Sequence, residues 1–197
     1  MNRAVQVCGV KGSLPVVERV LKESEHARCE LVRDEGGNRF IRKTFYAPDE
    51  GLEQRYRELA RQSLPGVPRI LSVTREYVSG AFTVVREYTE GYTLRQWVTD
   101  NGPLTVAEAR TVLGRLCETV RALHALDPPL IHRDITPSNI VLSGEGPVLI
   151  DFGISRRWSS RSSRDTVPWG TVGYAAPAQL GYGQSDVRTD VYALGMV

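Results

Sequence analysis

Three side chains that carry oxygen atoms are spaced along this chain as phosphoryl transfer requires. Asp134 lies in the segment His-Arg-Asp-Ile-Thr-Pro-Ser-Asn, Asn139 closes that segment, and Asp151 begins the sequence Asp-Phe-Gly. A carboxylate such as that of Asp134 can accept the proton of an attacking hydroxyl, while Asn139 and Asp151 offer oxygen ligands for the magnesium ions that neutralise phosphates. The pattern therefore predicts Asp134 as a general base and Asn139 and Asp151 as metal ligands.

Short apolar segments surround these polar residues. Leu130 and Ile131 precede the first motif, and residues 140–142 and 148–150 follow it. Short strands around a loop would hold the polar side chains around one small volume. Turn capping or a backbone hydrogen bond explains any one of these polar residues equally well, and only the ordered set argues against that alternative.

The composition is that of an ordinary globular protein. The chain has 197 residues, of which 41% are hydrophobic and 24% are charged, and its formal net charge is +2. So small a charge does not suggest binding to nucleic acid or to a membrane surface by bulk electrostatics. The sequence has no apolar run of about 18 residues, which a transmembrane helix needs, and no apolar core of a signal peptide.

The cysteines give no sign of a metal site or of a disulfide framework. Cys8, Cys29 and Cys117 are widely spaced and form no metal-binding pair. Reduced thiols are the default for such a pattern, so we expect a cytoplasmic protein. The sequence also shows no internal repeat.

Turn and strand signals in the first part of the chain predict a small antiparallel sheet with one helix. Residues 1–15 show no clear pattern and are predicted to be a leader. Residues 49–62 predict a helix with Leu52, Tyr56 and Leu59 on one face. Strands are predicted at 29–32, 39–43, 69–77 and 81–88, with turns at 34–38 and 79–80.

The rest of the chain predicts a mainly helical part, joined to the sheet by the polar residues 87–91. A short helix is predicted at 94–98. Thr105 and Glu108 form a capping-box pattern, which begins a helix that runs to about Leu126. The predicted apolar face of that helix consists of Val112, Leu116, Val120 and Leu123.

The last third of the chain contains a polar segment and an unfinished helix. Residues 155–164 are rich in serine and arginine and are predicted to be mobile. A further apolar helix is predicted from Thr189, and the chain stops inside it at Val197. Its apolar face would be left uncovered, so we expect a fragment of a longer domain.

The order of the motifs from about Val16 to Val197 resembles the catalytic domain of bacterial serine/threonine protein kinases of the eukaryotic type. A strand lysine, Lys43, precedes the two motifs above, and Gly-Thr-Val-Gly-Tyr-Ala-Ala-Pro at 170–177 and Asp-Val-Tyr-Ala-Leu-Gly at 190–195 follow them. The resemblance implies an α+β fold with two lobes: a leader at 1–15, an antiparallel-sheet N-lobe with one helix at 16–88, and an incomplete, mainly helical C-lobe at 89–197.

The resemblance also implies an activity and its cofactors. The chain would transfer the γ-phosphoryl group of ATP, with Mg²⁺, to serine or threonine hydroxyls of proteins, including its own. Dimer formation for autophosphorylation would follow, with no nucleic acid as partner and no membrane segment in the chain. Pro137 and Thr171 resemble the serine/threonine class, and Thr171 is expected to bond Asp134.

On the phosphate side, the resemblance assigns Lys43 to the α- and β-phosphates. A helix glutamate normally pairs with this lysine, but Arg55 stands at its usual position, so Glu58 or Glu53 is expected to serve. Where the family has a glycine-rich loop over the phosphates, the chain has Lys22, Ser24 and Ala27. Ser24 and Ala27 are small enough to allow close approach of the backbone to phosphate.

On the base side, the resemblance implies that the strand at 81–88 leads into a hinge that binds adenine through backbone groups. The Glu87 carbonyl and the Thr89 amide would make those hydrogen bonds. Arg86 falls at the gatekeeper position, which is usually apolar, and is expected to snorkel or to find an acidic partner. The residues expected to sandwich the base are Cys29, Ile41 and Val141.

Regulation is implied by the arginine beside the general base. In kinases of this pattern, a residue like Arg133 pairs with a phosphate on the mobile segment. Thr166 is the favoured modification site. The other candidates are Ser159, Ser160, Ser162 and Ser163.

Some positions depart from the family pattern. Thr136 replaces a lysine that touches the transferred phosphate, and Ala178 replaces a glutamate that makes a structural ion pair. The resemblance identifies residues 132–139 as the catalytic loop. Asp190 matches an aspartate that bonds the backbone of this loop, and a helix N-cap explains it as well.

Two alternatives to a protein kinase stay open. The weak glycine loop, Thr136 and Ala178 favour a pseudokinase that binds nucleotide or serves as a scaffold, or an inactive truncated fragment. A small-molecule kinase of related fold is the second alternative, and the motif at 170–177 argues against it.

Overall fold

The computed structural model describes residues 15–46, 48, 51–76, 78–158, 170–180 and 183–197. The chain divides into two compact units, one of residues 1–63 and 68–88 and the other of residues 64–67 and 89–197. Strands and helices are both present, so the predicted α+β class is confirmed. The predicted leader, apart from Pro15, and all the predicted phosphorylation sites lie outside the described residues.

A five-stranded antiparallel sheet forms most of the first unit. Its strands are β1 Val16–Glu23, β2 Ala27–Arg33, β3 Arg39–Phe45, β4 Ile70–Arg75 and β5 Phe82–Glu87. They lie in the order β1-β2-β3-β5-β4. The predicted hairpin between β2 and β3 is confirmed, with Leu31 opposite Ile41 and with Gly37 at φ 83° in the turn.

The helix of the first unit, α1 Leu52–Leu59, is shorter than the predicted 49–62. Gly51 has a left-handed backbone with φ 92°, which an α-helix does not continue through, so the helix begins only after it. Beyond Leu59 the backbone hydrogen bonds join residues three positions apart instead of four, such as the bond from the Gln62 amide to the Leu59 carbonyl. The predicted apolar face is confirmed, since Leu52, Tyr56 and Leu59 are buried.

The second unit contains three α-helices, two 3₁₀ helices and short strands among its described residues. Its elements are β6 Tyr92–Thr93, α2 Leu94–Asn101, α3 Val106–His124, β7 Leu130–Ile131, β8 Ile140–Ser143, β9 Gly146–Leu149, β10 Arg156–Arg157 and α4 Val187–Met196. The Thr105–Glu108 capping box predicted for α3 is confirmed. In the part of the chain that the structure describes, no helix combines the length and apolarity needed to cross a membrane.

Three boundaries in the second unit differ from prediction. Helix α2 continues past the predicted end at residue 98, because a capping box of Thr93 and Gln96 fixes its first turn and no breaker occurs before Gly102. The strand predicted at 148–150 is displaced to β9, which pairs with β8 in a tight hairpin. Helix α4 begins at Val187 rather than at Thr189, because Asp186 caps it.

The elements around the polar motifs form the core of the second unit. Leu116, Val120 and Leu123 of α3 are buried, and Val112 is partly exposed, so the predicted face is confirmed for its last three turns. Helix α3 packs on β7, β9 and α4. The loop between β7 and β8 therefore lies on a rigid support.

Candidate active site

The loop that joins β7 to β8 brings Asp134 and Asn139 together. The Asn139 Nδ2 atom donates to the Asp134 Oδ2 atom at 2.7 Å and to the Asp134 carbonyl at 2.9 Å. The Thr171 hydroxyl donates to the other carboxylate oxygen, Oδ1, at 2.7 Å. The predicted bond between Thr171 and Asp134 is confirmed. Both carboxylate oxygens are thus fixed in direction, as a positioned base requires.

Asp190 fixes the start of the same loop through hydrogen bonds to its backbone. Its side chain is fully buried, and its Oδ2 and Oδ1 atoms accept from the backbone amides of His132 and Arg133, each at 2.9 Å. The His124 Nε2 atom bonds the same Oδ2 at 2.8 Å. The predicted bond to the loop backbone is confirmed, and the helix N-cap explanation is wrong, because Asp186 is the cap of α4.

His132 is fully buried and connects the loop to the Asp-Phe-Gly segment. Its Nδ1 atom accepts from the Asp134 amide at 3.3 Å, so its Nε2 atom carries the proton and donates to the Ile150 carbonyl at 3.2 Å. Its ring meets Phe152 edge to face at 4.7 Å. This arrangement needs a neutral imidazole, and burial lowers the pKa of His132 below its ordinary value.

We expect the stability of the protein to fall in acid because of His132. The folded-state pKa lies below the ordinary 6.5, so below that pH the unfolded chain binds a proton that the folded protein excludes. The free energy of unfolding should not depend on this group above about pH 6.5 and should fall below it by at most about 1.4 kcal/mol per pH unit. Urea denaturation across this range measures the slope.

The matched controls are two histidine replacements. His132→Asn should flatten the acid slope, whereas His26→Asn, at an exposed turn, should leave it unchanged. Equal slopes for the wild type and His132→Asn would show that the buried imidazole does not set this dependence.

Gln179 links the catalytic loop to the Gly-Thr-Val-Gly-Tyr-Ala-Ala-Pro segment. The side chain is fully buried; its Nε2 donates to the Arg133 carbonyl at 2.7 Å, and its Oε1 accepts from the Ala176 amide at 3.2 Å. Arg133 itself has φ 71°, a strained conformation for a residue with a side chain, and this bond helps to hold it. Sequence reasoning missed Gln179, His124 and the positioning role of His132, since no spacing pattern marks them.

Asn139 and Asp151 fit a magnesium ion. The Ile150 amide donates to the Asn139 carbonyl at 2.8 Å, which places Asp151 beside the loop. The side-chain nitrogen of Asn139 donates to Asp134, so the side-chain oxygen is the atom that remains to bind a cation. No group of three or more His, Cys, Asp and Glu among the described residues could hold a metal unaided. One carboxylate and one amide oxygen suit Mg²⁺, which takes its other ligands from phosphate and water.

In the first unit, the sheet register places three predicted site residues on one face. Lys43 lies opposite Cys29 on one side and Val84 on the other. Residues directly opposite each other share a face of the sheet, as do alternate residues of a strand. Ile41 is therefore on this face too, and it is buried. The register thus brings Cys29, Ile41 and Lys43 together on one face, and their roles in binding nucleotide stay predictions.

The turn between β1 and β2 is closed by Ser24. Its hydroxyl accepts from the His26 and Ala27 amides at 3.3 and 3.1 Å. The turn therefore owes its shape to a side-chain hydroxyl where the family has glycines. Lys22 lies opposite Cys29 at its edge.

The two helix glutamates differ in their surroundings. The Glu53 carboxylate pairs with Arg57 at 2.7 Å and with Arg75 at 3.1 Å. These two cations tie Glu53 to α1 and β4. Which of the two glutamates pairs with Lys43 stays a prediction. The Glu58 carboxylate accepts from Gln54 at 3.1 Å.

The gatekeeper residue contacts the predicted hinge. Arg86 lies on the Lys43 face of β5, opposite Ile41 and Ile70, and is half-buried. Its Nη1 atom donates to the Glu87 carbonyl at 3.0 Å. This is the carbonyl that is predicted to accept a hydrogen bond from adenine.

Two predicted base-contacting residues belong to the second unit. Val141 is a buried residue of β8, and it pairs with Thr93 of β6. Thr89 is the first residue of the main segment of that unit and is half-buried. The contacts of Val141 and Thr89 with adenine stay predictions.

Comparison with known proteins agrees with the motifs. The protein kinase domain family matches residues 30–197. Serine/threonine-protein kinase PrkC of Bacillus subtilis is 33% identical over 158 residues, which cover 77% of this chain and 24% of that protein. Probable serine/threonine-protein kinase PkwA of Thermomonospora curvata is 34% identical over 173 residues, which cover 85% of this chain and 23% of that protein. The chain therefore spans about a quarter of the length of these relatives.

Proposed function

This chain belongs to the protein kinase family, and we propose that it transfers the γ-phosphoryl group of ATP to serine and threonine hydroxyls of proteins, its own included. The observation that carries the proposal is the Asp134 carboxylate, whose two oxygens accept from Asn139 and Thr171 beside the Asp-Phe-Gly segment. The relatives bear the names of serine/threonine-protein kinases, which supports this substrate class.

Asp134 serves as the base that orients the substrate. Its carboxylate accepts the proton of the serine or threonine hydroxyl as the hydroxyl oxygen bonds to the γ-phosphorus. The bond from that phosphorus to the bridging oxygen breaks, and ADP leaves. Phosphoryl transfer depends mainly on positioning and charge, so the two bonds that fix the Asp134 oxygens contribute directly to the rate.

Asn139 and Asp151 hold Mg²⁺ through their side-chain oxygens. The bound ion neutralises charge on the phosphate oxygens. Lys43, supported by Glu58 or Glu53, binds the α- and β-phosphates, and Ser24 and Ala27 allow the backbone to approach them.

The base contacts follow from the hinge. We assign the adenine hydrogen bonds to the Glu87 carbonyl and the Thr89 amide, and the apolar contacts to Cys29, Ile41 and Val141. Regulation by a phosphate on Thr166 that pairs with Arg133, a dimer for autophosphorylation and a cytoplasmic setting stay predictions.

The Arg86→Met variant should bind ATP about tenfold more tightly than the wild type. In the wild type the guanidinium occupies the Glu87 carbonyl, so adenine must displace a charge-assisted hydrogen bond before it can donate there. Isothermal titration with MgATP measures the change. The control is Arg19→Met, an exposed arginine of β1, which should leave the affinity unchanged. Weaker binding by Arg86→Met would contradict a blocking role and would make Arg86 a nucleotide ligand.

The test of the proposed function is incubation of the chain with radiolabelled ATP and Mg²⁺, with and without a general protein substrate. Phosphoserine or phosphothreonine that is absent in Asp134→Asn supports the kinase. Nucleotide binding without labelling of protein would contradict it in favour of a pseudokinase. Labelling of an added small molecule alone would contradict it in favour of a small-molecule kinase.

A further inference from the structure

A positive charge lies against the catalytic loop, and the reaction as described does not use it. Arg95 is exposed in the first turn of α2, and its Nε atom donates to the Ser138 hydroxyl at 2.6 Å. Within the part of the chain that the structure describes, Arg95 forms no ion pair with a carboxylate. A side-chain hydroxyl orients this cation, and no carboxylate of the described residues neutralises it.

The support of Arg95 is rigid. Thr93 pairs with Val141 of β8 and caps α2 through a capping box with Gln96. Leu94, between the cap and the arginine, is buried. Strand pairing, a helix cap and a buried neighbour thus fix the backbone at Arg95, and the 2.6 Å bond fixes the direction of its side chain.

Its position relative to the general base follows from two short steps. Ser138 is the chain neighbour of Asn139, and the Asn139 Nδ2 atom lies 2.7 Å from the Asp134 carboxylate. The Arg95 guanidinium therefore lies beside the loop to which a protein substrate would present its hydroxyl. With Nε bound to Ser138, the end of the guanidinium that carries the two Nη groups can still bind the two oxygens of one carboxylate.

We propose that Arg95 is a specificity-determining residue that binds an acidic side chain of the protein substrate close to the phosphoacceptor hydroxyl. The proposal rests on the proposed kinase function and adds the charge class of its substrate. An aspartate or glutamate there gains a guanidinium partner, whereas a lysine or arginine meets a like charge. The γ-phosphate is the other oxyanion within the reaction. Its proposed metal ligands, Asn139 and Asp151, are half-buried, whereas Arg95 is exposed on α2.

The experiment uses serine peptides that carry aspartate, alanine or lysine at each flanking position in turn. For the wild type, kcat/KM should be higher with aspartate than with alanine at one or more positions, by about threefold to tenfold. The charge reversal Arg95→Glu should invert the order, so that lysine becomes the preferred residue at the same positions. The control, Arg110→Glu on the exposed face of α3, should keep the wild-type order.

The ratio between peptides is taken within each variant, so a general loss of activity does not affect it. An equal aspartate-to-lysine ratio in the wild type and Arg95→Glu would overturn the proposal. A uniform loss with all peptides and a raised KM for ATP would overturn it as well, because that result assigns Arg95 to the nucleotide.

A binding measurement separates this proposal from the kinase function. Peptides with alanine in place of the acceptor serine are titrated into the wild type and Arg95→Glu and followed by fluorescence anisotropy. Tighter binding of the acidic peptide that Arg95→Glu reverses supports the proposal, even if no peptide is phosphorylated and the kinase function fails. No charge preference in binding, with turnover intact, would overturn the role of Arg95 alone.

Discussion

The Asp134→Asn variant is expected to lose phosphoryl transfer by about a thousandfold in kcat, within the range known for a positioned acid or base. An amide has nearly the shape of a carboxylate but cannot take up the proton of the substrate hydroxyl. It can accept from only one of the two present donors, Asn139 and Thr171, so one of the orienting bonds is lost too. Steady-state assays with radiolabelled ATP measure the loss.

The control for this variant is Asp100→Asn, which makes the same chemical change at an exposed position of α2. It should keep full activity. Binding of MgATP to Asp134→Asn, measured by calorimetry, should persist, because Asp134 is not among the proposed nucleotide ligands. If the variant kept more than about a tenth of the wild-type kcat, general-base catalysis by Asp134 would be rejected.

The Asp190→Ala variant is expected to cost about 3–5 kcal/mol of the free energy of unfolding. The change leaves the buried amides of His132 and Arg133 without their acceptor and removes the partner of His124. Such a cost is a large part of the total stability of about 5–15 kcal/mol that a domain has. Because those amides begin the loop that carries Asp134, activity should fall with stability. Urea denaturation near neutral pH measures the first effect.

Asp186→Ala is the control for Asp190→Ala. Asp186 belongs to the same helix but acts as its N-cap, and its loss should cost about 1 kcal/mol. A cost for Asp190→Ala no larger than this would mean that the loop does not depend on the buried carboxylate. Asp190→Asn should fall between the two, since its single amide oxygen replaces only one of the two acceptors.

Local sequence patterns predicted much of the fold and of the candidate site. The hairpin of β2 and β3 and the capping box of α3 were predicted from turn residues and from residues three positions apart, and both are confirmed. The bond from Thr171 to Asp134 was predicted from the order of family motifs, which fixes where each loop returns to the site. These predictions succeed because short-range spacing or a family pattern encodes them.

The boundaries that failed depend on backbone conformation. Helix α1 is short because Gly51 adopts a left-handed φ, which composition alone does not reveal. Helix α2 is longer than predicted, because its capping box fixes a first turn that apolar periodicity did not extend. Glycine adopts right-handed and left-handed backbone conformations with similar ease, so its presence in the sequence does not decide whether a helix continues through it.

By itself the sequence determined the family and the order of the motifs, and it predicted Asp134, Asn139 and Asp151 as site residues, because each is a matter of residue type and spacing. Only the tertiary structure decided which side chains support them. Arg95 reaches Ser138 across 43 positions, Gln179 reaches Arg133 across 46, and His124 reaches Asp190 across 66. Such pairs form because packing closes long loops and burial forces polar groups to find partners, and neither event leaves a periodic signal along the chain.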